Sequence, residues 1–308
     1  MDDGNLELLD RLESSVSASS GQPDLTVKKL LEGYSDEFYF WLLTDGYGKV
    51  KNDALKSLLP AMPDEKTQLK FNAKTGNDSL GEAFSAYRLF KELCRKRSLE
   101  LRDCRNVLDF GCGWGRFARV FLKDVEPSAL YGVDVLKDIV ELSRSSVRGV
   151  SFEAINPLPP CHFPGDKFDL VYLFSVFSHL SEGATMRWVA EFHRMLRPGG
   201  VLIATTRSRS FIEYCERLRQ RQVGQGPFMG AAKAFLDTRQ TLADYDNGKF
   251  CHTPVGPLGV QDSRYYGETA MPKKYVEENW TRYFPDVEYI YDTEHKSFSQ
   301  DVIVARKK

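Results

Sequence analysis

The stretch VLDFGCGWGRFARVF, Val107 to Phe121, sets Gly111, Gly113 and Gly115 at alternate positions between a short apolar run and a segment with helical patterning. Glycines at such a junction let the backbone turn sharply and let a ligand approach the main chain, with amide hydrogens pointing at it. A nucleotide-like ligand is the expected occupant. The dinucleotide fingerprint G-x-G-x-x-G needs its third glycine three positions after the second. Here that position is Arg116, whose bulk obstructs helix packing and the approach of a pyrophosphate. The pattern is instead G-x-G-x-G, with Asp109 two residues before the first glycine. Cys112, inside the loop, reads as a small packing residue and not as a nucleophile.

Such a loop needs a strand before it and a helix after it. NVLDFG has the short apolar character of a buried parallel strand, and RFARVFLKDV follows as a helix. ALYGVDV, VSFEAI, FDLVYLFSVF and VLIATT read as further strands, separated by the helices LKDIVELSRSS and ATMRWVAEFHRML and by the turn RPGG. The alternation predicts an α/β fold with a Rossmann-like, doubly wound, mostly parallel sheet. VEYIYDTEH and SQDVIVARKK add two final strands as antiparallel neighbours, for about seven in all, after the helix MPKKYVEENWTRYF.

Two regions depart from this rhythm. Beyond the fifth strand, the helix SFIEYCERLRQRQ leads into a glycine-rich, polar stretch, predicting an inserted lid on the substrate side at about 208–268. At the other end, residues 1–80 form an extension to a main domain spanning 81–308. Its first 25 or so residues read as a loose tail or linker, ESSVSASSGQPD included. VKKLLEGYSDEFYFWLL reads as an amphipathic helix, with its aromatic stripe as core. LLPAMPDEKTQLKFNAKTGNDSL is expected to break regular structure before the helix GEAFSAYRLFKELCRKR.

Composition narrows the function. A net charge of −1 over 308 residues gives no general electrostatic grip on nucleic acid or anionic membrane. Six scattered cysteines, with no CxxC pair and no Cys/His cluster of metal spacing, predict reduced thiols, a cytoplasmic location and no metal site. The acidic N-terminus lacks the apolar core of a secretory signal. No apolar run approaches the roughly 18 residues of a membrane span.

DFGCGWG resembles the first motif of the class I S-adenosylmethionine (SAM)-dependent methyltransferases, and the resemblance extends over roughly Gly81 to Lys308 through FDLVYLFSVFSHLSE and WVAEFHRMLRPGGVLIATT. It implies SAM as cofactor and S-adenosylhomocysteine as product. Asp109, Gly111, Cys112, Gly113 and Gly115 are then expected against the methionine part of SAM. Asp134, ending the second strand with Val135 beside it, is expected to hold the ribose hydroxyls, since a carboxylate can accept two hydrogen bonds from a vicinal diol. Asn156 is expected at the adenine, and Phe174 along the cofactor. Arg116 either neutralises the SAM carboxylate or faces solvent, and Tyr87 and Arg88 offer the same service from the preceding helix.

On the acceptor side, His179 in SVFSHLSE is the candidate general base, because imidazole suits proton transfer near neutrality. The alternative is a loop histidine that packs against SAM or hydrogen-bonds backbone. His193 reads as a helix residue beside the sheet. Tyr265 and Tyr266 are expected to line the acceptor pocket, each with a flat face and a hydroxyl. Arg264 either pairs with an acidic group of the acceptor or is a solvated surface residue. The pattern resembles bacterial methyltransferases of glycan and natural-product pathways, implying O-methylation of a small-molecule or glycan-like acceptor. An RNA or protein methyltransferase and a non-catalytic SAM-binding scaffold are the alternatives. The oligomeric state is not legible.

Overall fold

The computed structural model describes residues 2–18, 25–221, 229–255 and 262–308. Six helices precede the first strand: α1 (Asp2–Ala18), α2 (Val27–Leu30), α3 (Asp36–Leu43), α4 (Asp53–Leu58), α5 (Glu65–Asn72) and α6 (Gly76–Arg95). Then come β1 (Val107–Phe110), α7 (Ala118–Phe121), β2 (Leu130–Asp134), α8 (Lys137–Ser146), β3 (Ser151–Ala154), β4 (Phe168–Leu173), α9 (Glu182–Met195) and β5 (Leu196–Thr206). The chain continues through α10 (Arg209–Gln220), α11 (Met229–Lys233), α12 (Thr238–Asp246), β6 (Cys251–Thr253) and β7 (Glu268–Ala270). It closes with α13 (Lys273–Asn279), β8 (Asp286–Ile290), α14 (Asp292–His295) and β9 (Asp301–Arg306).

Seven strands form one sheet in the order β3-β2-β1-β4-β5-β9-β8. The first five pair in parallel, and β9 runs antiparallel to both β5 and β8. The predicted Rossmann-like class and the antiparallel pairing near the C-terminus are therefore present. Strand order reverses between β1 and β4, which opens a crevice at the carboxyl ends of those strands, the usual place for a ligand in such sheets.

Side-chain alternation along the strands divides the core. Val107, Leu170, Tyr172, Val201 and Ile203 pack with the N-terminal helices, α6, α7 and α8. Leu108, Phe110, Val171, Leu173, Leu202 and Ala204 pack with α9 and α13. A smaller cluster joins α10, α11, α12 and β6.

Several local expectations are corrected. The supposed loose tail is helical over residues 2–18, with Leu9, Leu12 and Val16 buried in the core; residues 19–24 of the expected linker lie outside the described residues. The single helix expected over residues 27–43 is two, broken where Gly33 takes a φ of +83°. The segment expected to be irregular, residues 58–80, holds α5 and the start of α6. Asp64 accepts the Thr67 N–H and starts α5, as Asn52 accepts the Leu55 N–H and starts α4 before that segment. The RPGG turn belongs instead to an extended β5 whose register with β4 shifts between Phe168 and Leu170. The expected boundary at 80/81 falls inside α6.

Arg119 ties the N-terminal helices to the sheet. It is fully buried, donates to the carbonyls of Gly115, Trp114 and Ala61, and stacks 4.5 Å from the Trp114 ring. The Tyr39 hydroxyl of α3 donates to its carbonyl at 2.6 Å. Among the described residues no helix is long and apolar enough to cross a membrane.

Candidate active site

At the end of β1 the chain folds back over β2, with the Gly111 and Cys112 amides donating to the Val133 carbonyl at 2.8 and 3.0 Å. Gly111 has a φ of +77°, and a Cβ there would lie 2.4 Å from Val176 Cγ2, so glycine is required both by conformation and by space. Gly113 also has positive φ, but a Cβ there would meet nothing within 4 Å, so open space lies beside it. Its N–H donates to Asp134 Oδ2 at 3.0 Å, and Leu136 N–H donates to Oδ1 at 3.0 Å. The carboxylate is thereby fixed beside the open flank of the loop, with lone pairs left for a diol. Burial raises its pKa, and the Leu136, Gly113 and Val135 amides oppose that. Val135 is half-buried next to it, and Asn156 is exposed just past β3.

The loop after β4 closes the other side. Ser175 takes a φ of +59°, and its N–H donates to Thr205 Oγ1 at the end of β5, turning the chain across the sheet edge. His179 follows. Its Nδ1 lies 2.9 Å from the Gly267 carbonyl, its ring stacks on Tyr266 at 5.1 Å and 12°, and Glu268 Oε2 stands 3.7 Å from Nδ1. The backbone fixes this arrangement: Gly267 N–H donates to the His179 carbonyl, and Thr269 N–H to that of Ser178. A carbonyl can only accept, so Nδ1 carries the hydrogen and Nε2 is the acceptor of the neutral ring. His252 joins the cluster from β6 through a 2.8 Å contact of its Nδ1 with Thr269 Oγ1. Burial, with the charge of His179, pushes its pKa down to about 4. Burial raises the pKa of Tyr266 well above the usual phenol value, and the nearby carboxylates of Glu268 and Asp134 add to it. Asp134 and the histidine cluster thus converge on one crevice.

Residues 107–200 match the methyltransferase domain family. That segment is a methyltransferase domain. The chain is 28% identical over 118 residues to a probable fatty acid methyltransferase of Pseudomonas putida, covering 37% of this chain and 29% of that one. It is 26% identical over 159 residues to the cyclopropane-fatty-acyl-phospholipid synthase of Escherichia coli K12, covering 52% and 40%. The chain thus spans less than half the length of the curated relatives it matches. Among solved structures, a SAM-dependent methyltransferase of Mesorhizobium loti is similar with a TM-score of 0.44 and 15% identity, covering 70% of this chain and 96% of that one.

Within the methyltransferase domain the glycine loop, Asp134, Val135 and Asn156 share one edge, and the space beside Gly113 with the adjoining Asp134 carboxylate fits the ribose end of SAM. Other expectations change. Asp109 is only 2% exposed, facing Tyr172 and α7; burial raises its pKa to about 7, so it supports the loop from beneath. Arg116 does not face solvent: it is buried, donates to Glu82 at 2.8 Å and to the Ser79 carbonyl, and covers Phe117 and Phe174. Phe174 is half-buried between Phe117 and Phe298. Tyr87 is buried and donates to Asp124, while Arg88 pairs with Glu37 at the surface. Arg264 is exposed and pairs with Asp262. The helix after the loop is only four residues long, flanked by turns.

Cys112 is buried, and burial raises its thiol pKa well above the ordinary value, in keeping with a packing role. His193 packs against Tyr283 and Phe284. Tyr265 is half-buried against the α9 side of the core. Glu268, His252 and Arg207 were not singled out from the sequence: each reaches the crevice through pairing of distant segments, and no local spacing marks them.

Proposed function

We propose that the chain is a SAM-dependent methyltransferase that methylates a hydroxyl of a small or glycan-like acceptor in the cytoplasm. The observation that carries the proposal is the anchored ring of His179, whose Nδ1 is committed to the Gly267 carbonyl and whose Nε2 meets no hydrogen-bond partner among the described residues. SAM, when bound, supplies an electrophilic methyl group. Gly111, Gly113 and the rest of the loop hold its methionine end, Asp134 and Val135 its ribose, and Asn156 its adenine. His179 Nε2 would take the acceptor hydroxyl proton as the methyl group leaves the SAM sulfur for the acceptor oxygen, giving S-adenosylhomocysteine, and the Glu268 carboxylate would stabilise the resulting imidazolium. Tyr265 and Tyr266 orient the acceptor. In this proposal 81–308 is the catalytic domain and about 208–268 its substrate-side insertion; residues 222–228 and 256–261 of that insertion lie outside the described residues.

Labelled-methyl transfer from SAM to a panel of sugars tests the proposal. His179→Ala should retain SAM binding and lose transfer; undiminished turnover removes His179 from the base role. A second possibility is methylation of a fatty acid or lipid, favoured by the names of the two curated relatives. Fatty acids and phospholipid vesicles in the same panel distinguish it.

A further inference from the structure

Arg207 follows the last residue of β5, at the carboxyl edge of the sheet, and its backbone bridges Ala270 at the end of β7. It therefore stands beside the strand that carries Glu268 and next to the segment that stacks Tyr266 on His179. Its guanidinium lies 4.3 Å from the Phe211 ring centre, and its Nε is buried with no hydrogen-bond partner.

What sets it apart from the other inward-lying arginines is that the rest of its guanidinium is uncommitted as well. Arg97 Nε is also buried without a partner, but its fork meets Glu288. Among the described residues, Arg116 and Arg197, buried and half-buried, meet carboxylates, while Arg119 and Arg219 meet carbonyls. The Arg207 side chain makes no hydrogen bond or ion pair with any described residue. Glu268, the neighbouring carboxylate, points one oxygen at His179 and leaves the other beside Gly230. The field of Arg207 reaches both the Tyr266 hydroxyl and the Cys215 thiol, which places its charge between α10 and the histidine cluster. A guanidinium whose Nε is dry and whose fork is uncommitted carries a large unmet demand for an anion.

We infer that Arg207 is a specificity-determining residue that binds an anionic group of the acceptor, a carboxylate or a phosphate, next to the hydroxyl that is methylated. The inference rests on the methyltransferase proposal above and adds the chemical class of the acceptor. Phe211 holds the guanidinium plane from one side, and its planar donor fork suits bidentate recognition of either anion. Arg264, the arginine that the sequence nominated for an acidic acceptor group, points into solvent; Arg207 is the one at the crevice.

The test uses the full chain, labelled SAM and matched probes: glucuronate and glucose 6-phosphate against glucose, and 3-hydroxydecanoate against its amide. The expected result is transfer to an anionic member over its neutral partner. Arg207→Met should raise KM for the anionic member by about thirtyfold or more with SAM affinity unchanged, because one partner of a desolvated charge pair is removed. Arg207→Lys should recover part of the preference. The sugar acid, the phosphate and the hydroxy fatty acid arms report which source of anion the site takes. Equal transfer to charged and neutral members, or equal loss on both in Arg207→Met, overturns the inference and leaves the methyltransferase proposal standing. Where no probe is methylated, calorimetric binding of the same anions to the S-adenosylhomocysteine complex decides. Binding lost in Arg207→Met supports the anion site while refuting hydroxyl methylation of these probes, and absence of anion binding to the wild type overturns the inference.

Discussion

Gly111→Ala is the sharpest test of how the cofactor loop is built. The backbone at +77° costs a side-chain-bearing residue about 1–2 kcal/mol. The added Cβ would also stand 2.4 Å from Val176 Cγ2, and displacing a packed valine methyl costs about 1–3 kcal/mol more. The sum is a loss of about 2–5 kcal/mol. The two contributions separate in a double-mutant cycle. In a Val176→Ala background the nearest remaining atom is the Cβ at position 176, 3.8 Å away, so only the backbone cost survives. Urea denaturation followed by tryptophan fluorescence on the four proteins measures both. The coupling should be about 1–3 kcal/mol, with Gly111→Ala less harmful when Val176 is absent. Equal costs in the two backgrounds would show that the loop after β4 does not press on Gly111, and the account of why the two halves of the crevice meet there would fail.

Leu12→Ala should lower stability by about 3 kcal/mol, since the residue is fully buried in α1; a change near zero in the same urea assay would restore a loose tail. Asp134→Asn should weaken SAM binding by about 2 kcal/mol, roughly thirtyfold, in a calorimetric titration, as charge-assisted bonds to the diol are lost; unaltered affinity would place the ribose elsewhere. His252 has its folded pKa depressed from 6.5 to about 4, so the unfolded chain takes up its proton first as pH falls. Its contribution is present above about pH 6.5 and lost as pH falls toward 4. The stability gap between wild type and His252→Gln should therefore shrink over that interval, and a gap constant with pH contradicts a buried neutral ring.

The sheet was legible because its signals are local. β1 and β4 are short stretches buried on both faces, apolar except for Asp109 and Asp169, and each is punctuated by glycine or a polar turn. Asp134 was found because it ends a strand, and the three glycines because their spacing is a backbone requirement. Partners across the fold were not legible. Arg116 looked free until Glu82, on a different helix, was placed beside it. Asn52 and Asp64 could be turn residues or helix caps, and the tertiary packing of the residues after each decides between the two. Glu268 and Arg207 gain meaning only from a pairing that lays β7 beside the end of β5.

The buried Arg119 bears on how freely this chain can be cut or recombined. Its donors are matched by carbonyls on the glycine loop and by Ala61, and its own carbonyl receives the Tyr39 hydroxyl. A fragment beginning at residue 81 would strand a guanidinium in an apolar trough with a bond unmade, directly beneath the loop. The first eighty residues thus supply one of the acceptors that hold this guanidinium beneath the loop. A natural fusion that replaced them would have to bring its own acceptor to that one guanidinium, which ties the history of the two parts of the chain together.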